Sequence, residues 1–450
     1  MKENTNHLFR HIMKPVSKFV DGKMLGSVLL LVAAIIAFAW ANSGYSNSYF
    51  ALWNTPVAFS IGEYVISESL GHWVNDGLMV IFFFVIGLEI KREVLVGELS
   101  SVQKAALPAV AALGGMLVPA IIYGVINQGG PGSAGWGIPM ATDIAFSLGC
   151  LLVLGSLIPL SLKVFLLALA IVDDLGAILV IALFYTDKIS MVSLSIGILI
   201  LLVSILLNKK GVRKTYPYVL LGIALWVAFL LSGIHATIAG VLLALTIPAR
   251  ARYDQEKFRK ETNNIIQEFP EKDFRIMMVD EAQRSMMHKL KYTVDNMDTP
   301  LQKLEDNLYP LVSYFIIPIF ALANAGVNMA QGSEGTSLIN PISIGIIAGL
   351  FLGKQLGITL FAWLAVKLGL ALLPEKVDWS QIWAVSCLAG IGFTMSLFIT
   401  NLAFVDSISI YQAKIAIIIG SILSAVLGIA IFLFSGKRNA GKDQMLRTDT

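Results

Sequence analysis

Charge is what this sequence has least of. Only 14% of its 450 residues are Asp, Glu, Lys or Arg, against 56% hydrophobic, whereas soluble domains carry about 25% charged residues. At about 150 residues per domain the length would suggest roughly three soluble units, and there is too little charge to cover three such surfaces. A soluble globular enzyme is thereby excluded. Cysteine is nearly absent as well: Cys150 and Cys387 lie in separate apolar runs, with neither CxxC spacing nor neighbouring histidines. That removes a disulfide framework and a thiolate metal site. Finally, 33 basic residues barely exceed 30 acidic ones, and a net charge of +3 gives no electrostatic footprint for nucleic acid.

What the chain does have is long apolar runs. A membrane-crossing helix needs about 20 apolar residues, and runs bounded by charge or turn residues fall near 24–41, 75–90, 104–126, 136–155, 160–185, 190–207, 216–231, 233–248, 308–327, 341–366, 380–402 and 411–434. The fold class is therefore an all-α polytopic membrane protein with twelve transmembrane helices, its first partner the lipid bilayer. With twelve spans, successive loops alternate sides, and basic residues should mark the cytoplasmic ones. They do so consistently. Lys2 to Lys23, Lys91, Arg92, Lys104, Lys163, Lys209 to Lys214, the many bases between Arg250 and Lys303, Lys367, Lys376 and Lys437 to Arg447 all fall on one side, while the opposite loops contribute Lys188 alone. Both termini are expected in the cytoplasm. The organisation read from this is a cytoplasmic tail at 1–23, spans one to eight at 24–248, a linker at 249–307, spans nine to twelve at 308–434 and a second tail at 435–450. A cleaved signal peptide ending near Ala37-Phe38-Ala39 would leave an odd span count, so the first run is kept as a span. In the linker, Ile265, Ile266 and Phe269, then Met286, Met287 and Leu290, recur at helical spacing, which predicts one or two amphipathic helices.

Lys354 and Lys414 fall inside spans, and Lys354 sits in the middle of the tenth, in GLFLGKQLG. Three acids share its depth: Asp143 in IPMATDIAFSLG of the fourth span, and Asp173 and Asp174 in ALAIVDDLGAILV of the fifth. A charge at the bilayer centre costs at least about 2.5–3.5 kcal/mol, so such residues usually face a cavity and carry function. Neighbours on a helix are rotated by about 100°, so Asp173 and Asp174 cannot aim at one spot. The economical arrangement pairs one of them with Lys354 and leaves the other facing water. Three acids against one base leave an excess of negative charge, to be relieved by protons or by a bound cation. A carboxylate out of water holds its proton more tightly than one in water, and a small hard cation competes for the same oxygens. Competition for one alternately exposed site is sufficient for coupled antiport.

Two spans are interrupted. Pro139 breaks the fourth just before Thr142 and Asp143, and Gly390 and Gly392 weaken the eleventh in LAGIGFTMSLF. Secondary transporters place paired broken helices in inverted repeats, with the exposed backbone lining the ion site. Spans three to five and ten to twelve would be the matching triplets.

The strings GLEIKREVLVGEL (87–99), ATDIAFSLG (141–149), ALAIVDDLGAILVIALFYT (168–186), SGIHATIAG (232–240), FALANAGV (320–327), GKQLGI (353–358) and GIGFTMSLFI (390–399) together resemble the NhaA family of bacterial sodium/proton antiporters, in the family's order from about residue 20 to 435. The resemblance implies twelve helices with an inverted repeat and two crossing discontinuous helices, a homodimer in the bacterial inner membrane, and extrusion of Na+, with Li+ as a second substrate, against entering protons. It implies Asp174 as the principal cation and proton carboxylate, Asp173 beside it, Thr142 and Asp143 at the helix crossing, and Lys354 pairing with Asp173 or compensating charge at the crossing. It also marks Glu89, Arg92 and Glu93 at the cytoplasmic mouth, with Asp76 and His235 towards the other face, as candidates for pH regulation. No cofactor and no enzymatic activity are implied. The pattern is departed from in a longer 249–307 segment and in Tyr309, which stands where some members have a histidine. Two carboxylates can release more than one proton per cation, so the exchange is expected to be electrogenic. The rivals are a cation channel, another sodium-coupled transporter, or an intramembrane aspartyl protease, which would need two facing Asp from separate helices and a Gly-x-Gly-Asp signature; Ala-Ile-Val precedes Asp173 instead.

Overall fold

The architecture comes from a computed structural model of the chain, which describes residues 24–61, 64–155, 158–186, 189–269, 281–329, 339–375 and 377–448. The tail at 1–23 and the bases Lys188 and Lys376 lie outside the described residues. Among the described residues, eight helices are long and apolar enough to cross a membrane: Met24–Ala41, Val102–Ile126, Ser133–Val153, Leu160–Phe184, Met191–Lys209, Pro300–Asn324, Pro341–Lys367 and Ser407–Phe434. A ninth is the pair Trp379–Ala389 and Phe393–Ala403, bent by 44° at its break. The other expected spans coincide with Met79–Val96, whose last turns carry Glu89, Lys91, Arg92 and Glu93, and with the shorter apolar helices Tyr216–Leu230 and Thr237–Thr246.

Helix starts follow the local chemistry. Ser101, Thr299 and Asn340 each accept a hydrogen bond from the backbone N–H three residues on, and Pro300 and Pro341 follow the last two at the first helical position, where the missing N–H costs nothing. Thr299 and Pro300 therefore start the ninth span earlier than hydropathy alone suggests, and the linker ends before it. Within the linker, helices Gln255–Gln267 and Glu281–Met297 form as expected, but of the expected apolar face only Ile265 is buried, while Ile266, Phe269 and Met287 are exposed. At the other end, the last helix continues in backbone to Thr448, past the boundary expected at 434.

One element departs from an all-helical fold among the described residues. Pro56–Ile61 and Tyr64–Ser69 pair as an antiparallel hairpin, Pro56 opposite Ser69. β-branched and aromatic residues, Val57, Phe59 and Ile61 in PVAFSI and Tyr64, Val65 and Ile66 in YVISES, favour a pleated strand, and this segment lies in a loop between spans.

The site is positioned by two tight associations. Val102–Ile126 and Lys354–Lys367 press backbone against backbone at Gly114 and Gly357, where a Cβ on either would collide with the other's main chain. Small residues permit such close crossings in membranes, and this one fixes the depth of Lys354. The second is the junction of the two broken helices, described next.

Candidate ion-binding site

The fourth span is a 3-10 segment, Ser133–Met140, then extended residues through Asp143, then the α-helix Ile144–Val153. Ser133–Met140 packs on Phe393–Ala403, and Ile144–Val153 touches Trp379–Ala389, so the two interrupted spans meet at their breaks. Each break leaves carbonyls and N–H groups without intrahelical partners, a heavy cost away from water. The opposite span satisfies them. Ser396 donates to the Ile138 carbonyl at 2.8 Å, Ser147 to Leu388 at 2.9 Å, and Thr142 to Ala389 at 2.8 Å, while the Asp143 N–H donates to the Ile391 carbonyl at 2.7 Å.

Asp143 closes both helix starts at once. Its Oδ1 accepts from the Phe146 N–H at 3.0 Å, capping its own helix, and its Oδ2 accepts from the N–H and hydroxyl of Thr394 at 3.0 and 2.6 Å, capping the helix across the junction. A carboxylate is favoured at each positive helix end. Asp143→Ala should therefore cost about 1–2 kcal/mol for each cap lost, and Asp143→Asn, which keeps one acceptor oxygen, clearly less. Thermal unfolding in detergent compares the two variants, and equal losses would contradict the double-cap assignment.

Beside this junction, Lys354 Nζ is bonded to Asp173 Oδ2 and donates to Thr142 Oγ1 at 2.9 Å, and Thr142 lies 2.6 Å from the same Asp173 oxygen. Thr142, Asp143, Asp173, Asp174 and Lys354 are all at most 1% exposed. A π-helical turn, Gly349–Gly353, immediately precedes Lys354, a deformation that recurs at functional sites. Asp174 stands apart. It has no base against it among the described residues, and its Oδ1 has no hydrogen-bond partner, like Asp173 Oδ1. It lines a cavity of about 80 Å³ with Asp143, Thr394, Glu89, Tyr309 and Ser313. Among the described residues no three His, Cys, Asp or Glu come together as a metal-binding group. The two aspartates are adjacent on one helix, and one is tied to a lysine, which does not give the facing pair of a protease.

The pH-regulation candidates do not form one cluster. Arg92 bonds Glu305 and lies 3.0 Å from Glu93 and 3.8 Å from Glu89, and Glu93 accepts the Glu98 N–H at 2.9 Å. Sequence alone does not single out Glu305, because it falls in the charged linker, just before the expected start of a span. At the opposite end His235 meets the Tyr185 carbonyl, away from Asp76. Asp76 pairs instead with His72, at 3.1 Å one helical turn earlier. The hydrogen bond to Asp76 is the main cause that raises the His72 pKa above its ordinary 6.5, with Asp76 and Glu68 charge adding and partial burial opposing. Since the folded-state value is the higher one, this contact stabilises fully at acid pH and is lost as pH rises through the His72 pKa. An NMR titration of His72 should give a midpoint above 6.5 that falls in Asp76→Asn. No change on that substitution would remove Asp76 as the cause. Thr394, Ser147 and Ser396 are likewise absent from the sequence-based expectations, although all lie in the strings around the two breaks, where hydroxyls able to reach exposed carbonyls are the available signal.

The pattern of the family described as Na+/H+ antiporter 1 matches residues 17–432. The chain is 48% identical to the Na(+)/H(+) antiporter NhaA of Oleidesulfovibrio alaskensis over 420 residues, covering 93% of each chain. It is 46% identical to that of Koribacter versatilis, covering 93% of this chain and 91% of the relative, and 45% identical to that of Sulfurimonas denitrificans, covering 95% and 97%.

Proposed function

Since the chain belongs to the Na+/H+ antiporter 1 family and exchanges sodium for protons across a membrane, we propose that it extrudes Na+, and Li+ by the same route, from the bacterial cytoplasm against protons entering from outside, electrogenically and under pH control. The observation that carries the mechanism is the division of labour between adjacent carboxylates: Asp173 is engaged by Lys354, whereas Asp174 faces the cavity with an oxygen unpartnered. Asp174 is then the group for which Na+ and protons compete, and Asp173 the second proton acceptor, released when Lys354 shifts its charge. Asp143 and Thr142 hold the two broken helices together while this happens.

The distribution of bases supports placing both termini, the linker and the Glu89–Arg92 end of the cavity in the cytoplasm. Cytoplasmic Na+ entering past Glu89 and Tyr309 meets a protonated site, displaces the protons inward and is carried to the other face, where external protons displace it. The charges on Glu89, Glu93 and Glu305 around Arg92 at this mouth suit them to regulate entry with pH. The resemblance to the NhaA family extends the proposal to a homodimer. In proteoliposomes loaded with Na+, an imposed membrane potential, negative inside, should accelerate Na+ efflux severalfold. Efflux indifferent to the potential would contradict the electrogenic reading, and Na+ efflux unaccompanied by proton uptake would contradict coupled exchange.

A further inference from the structure

The cavity at Asp174 is lined on three sides by the same helices that close the opposite face. Met79–Val96 contributes Phe82, Val85, Ile86 and Glu89, Pro300–Asn324 contributes Tyr309, Val312, Ser313 and Ile317, and Phe393–Ala403 contributes Thr394 and Met395. Beyond the cavity, away from Glu89, these helices put down two successive layers. The first is aromatic: Phe398 meets Phe83 with ring centroids 5.3 Å apart and Phe320 at 6.3 Å, all three rings at most 1% exposed. The second is a chain of side-chain amides. Asn401 donates to Asn324 Oδ1 at 2.7 Å, and Asn324 donates to Asn75 Oδ1 at 2.8 Å and to the Phe320 carbonyl at 3.0 Å. Along Phe393–Ala403 the aromatic layer lies about 6 Å and the amide layer about 10 Å beyond Thr394, at ~1.5 Å rise per residue.

Apolar rings block a hydrated ion but give no directional hold, whereas amide-to-amide bonds between different helices fix one arrangement and must break before the helices part. Asn75 sits in a π-helical turn, Trp73–Leu78, and the ninth span has another at Val312–Ile316; such turns are where a helix can shift register locally. We infer that Asn75, Asn324 and Asn401 form the latch of the external gate, holding the cytoplasm-facing conformation closed to the outside until the broken span moves. The inference rests on the orientation and exchange mechanism proposed above. It adds three positioning residues that do not touch the ion.

The test places a reporter, Ala321→Cys, one turn inward of Asn324, in a chain carrying Cys150→Ala and Cys387→Ala, and labels it with a membrane-impermeant cationic thiol reagent in right-side-out and inside-out vesicles. Asn401→Leu should speed labelling from outside roughly five- to tenfold, the change expected for losing one hydrogen bond, and leave the cytoplasmic-side rate unchanged. The apparent KM for cytoplasmic Na+ should rise while that for external Na+ falls, because the population moves to the outward-open form. Asn401→Ser, which keeps a donor, should return both readouts towards the parent. Asn75→Ala breaks the other link and should act in the same direction. If neither variant changes external labelling, or if labelling rises equally from both sides without recovery in Asn401→Ser, there is no latch. If the acceleration appears only from the cytoplasmic side, the latch stands and the assigned orientation is wrong.

Discussion

Asparagine in place of Asp174 should abolish Na+-dependent dissipation of ΔpH in inside-out vesicles while leaving the protein as stable as the parent, or more so. The two side chains are nearly isosteric, so packing is kept, but the amide neither carries the charge that attracts a cation nor binds a proton reversibly. A full charge on a cation at ~2.5 Å is worth about 7 kcal/mol at an effective dielectric of 20, and 1.4 kcal/mol is already tenfold in affinity. The expected loss of exchange is therefore at least about a hundredfold. Stability should move the other way or not at all, since the substitution removes an ionisable group that is buried and has no base against it among the described residues. Thermal unfolding of the purified variant beside the vesicle assay separates the two effects. Full exchange by Asp174→Asn would place the cation elsewhere, and loss of exchange accompanied by unfolding would mean that Asp174 holds the structure instead.

The second large effect concerns the pair that is not free. Lys354→Met fills the same space with an apolar chain and leaves Asp173 facing no base, with the Thr142 hydroxyl oxygen 2.6 Å away. Removing one member of a buried ion pair costs about 3–5 kcal/mol, whereas replacing both is often neutral. The single variant should be strongly destabilised, and Asp173→Asn added to it should recover most of the loss, a coupling that a double-mutant cycle reads directly. Additive losses would mean that Lys354 and Asp173 do not depend on each other for stability. In transport, Lys354→Met should also weaken the apparent Na+ affinity, because Asp173 then competes with Asp174 for protons and cations.

Long apolar runs fix where helices can span, because the bilayer core penalises charge within it, so the helical class and most helix limits are legible from composition in windows. Asp143, Asp173, Asp174 and Lys354 stand out in the sequence because a charge at lipid depth needs a reason. Helix geometry alone does not say which aspartate meets Lys354, because adjacent residues diverge by about 100°; the family resemblance offers Asp173 as the partner, and the structure pairs the two. The double cap by Asp143 is equally hidden, because Thr394 lies in a distant string and becomes its partner only when the two breaks are apposed. Residues acting through ordinary polar contacts, such as Glu305, His72 and the three asparagines, carry no sequence signal beyond their type. Glu305 in particular is disguised by the acidic and basic linker preceding it. The hairpin escapes a reading for membrane spans because it is made of two six-residue strands in a loop.

The central claim is that Na+ and protons compete at Asp174. It is tested most directly by the apparent KM for Na+ in the ΔpH assay as a function of cytoplasmic pH. Competition predicts that KM rises about tenfold for each unit of acidification below the pKa of the site, as mass action requires for each proton displaced, while the rate at saturating Na+ stays constant. A KM independent of pH, with all the pH dependence in the maximal rate, would contradict it.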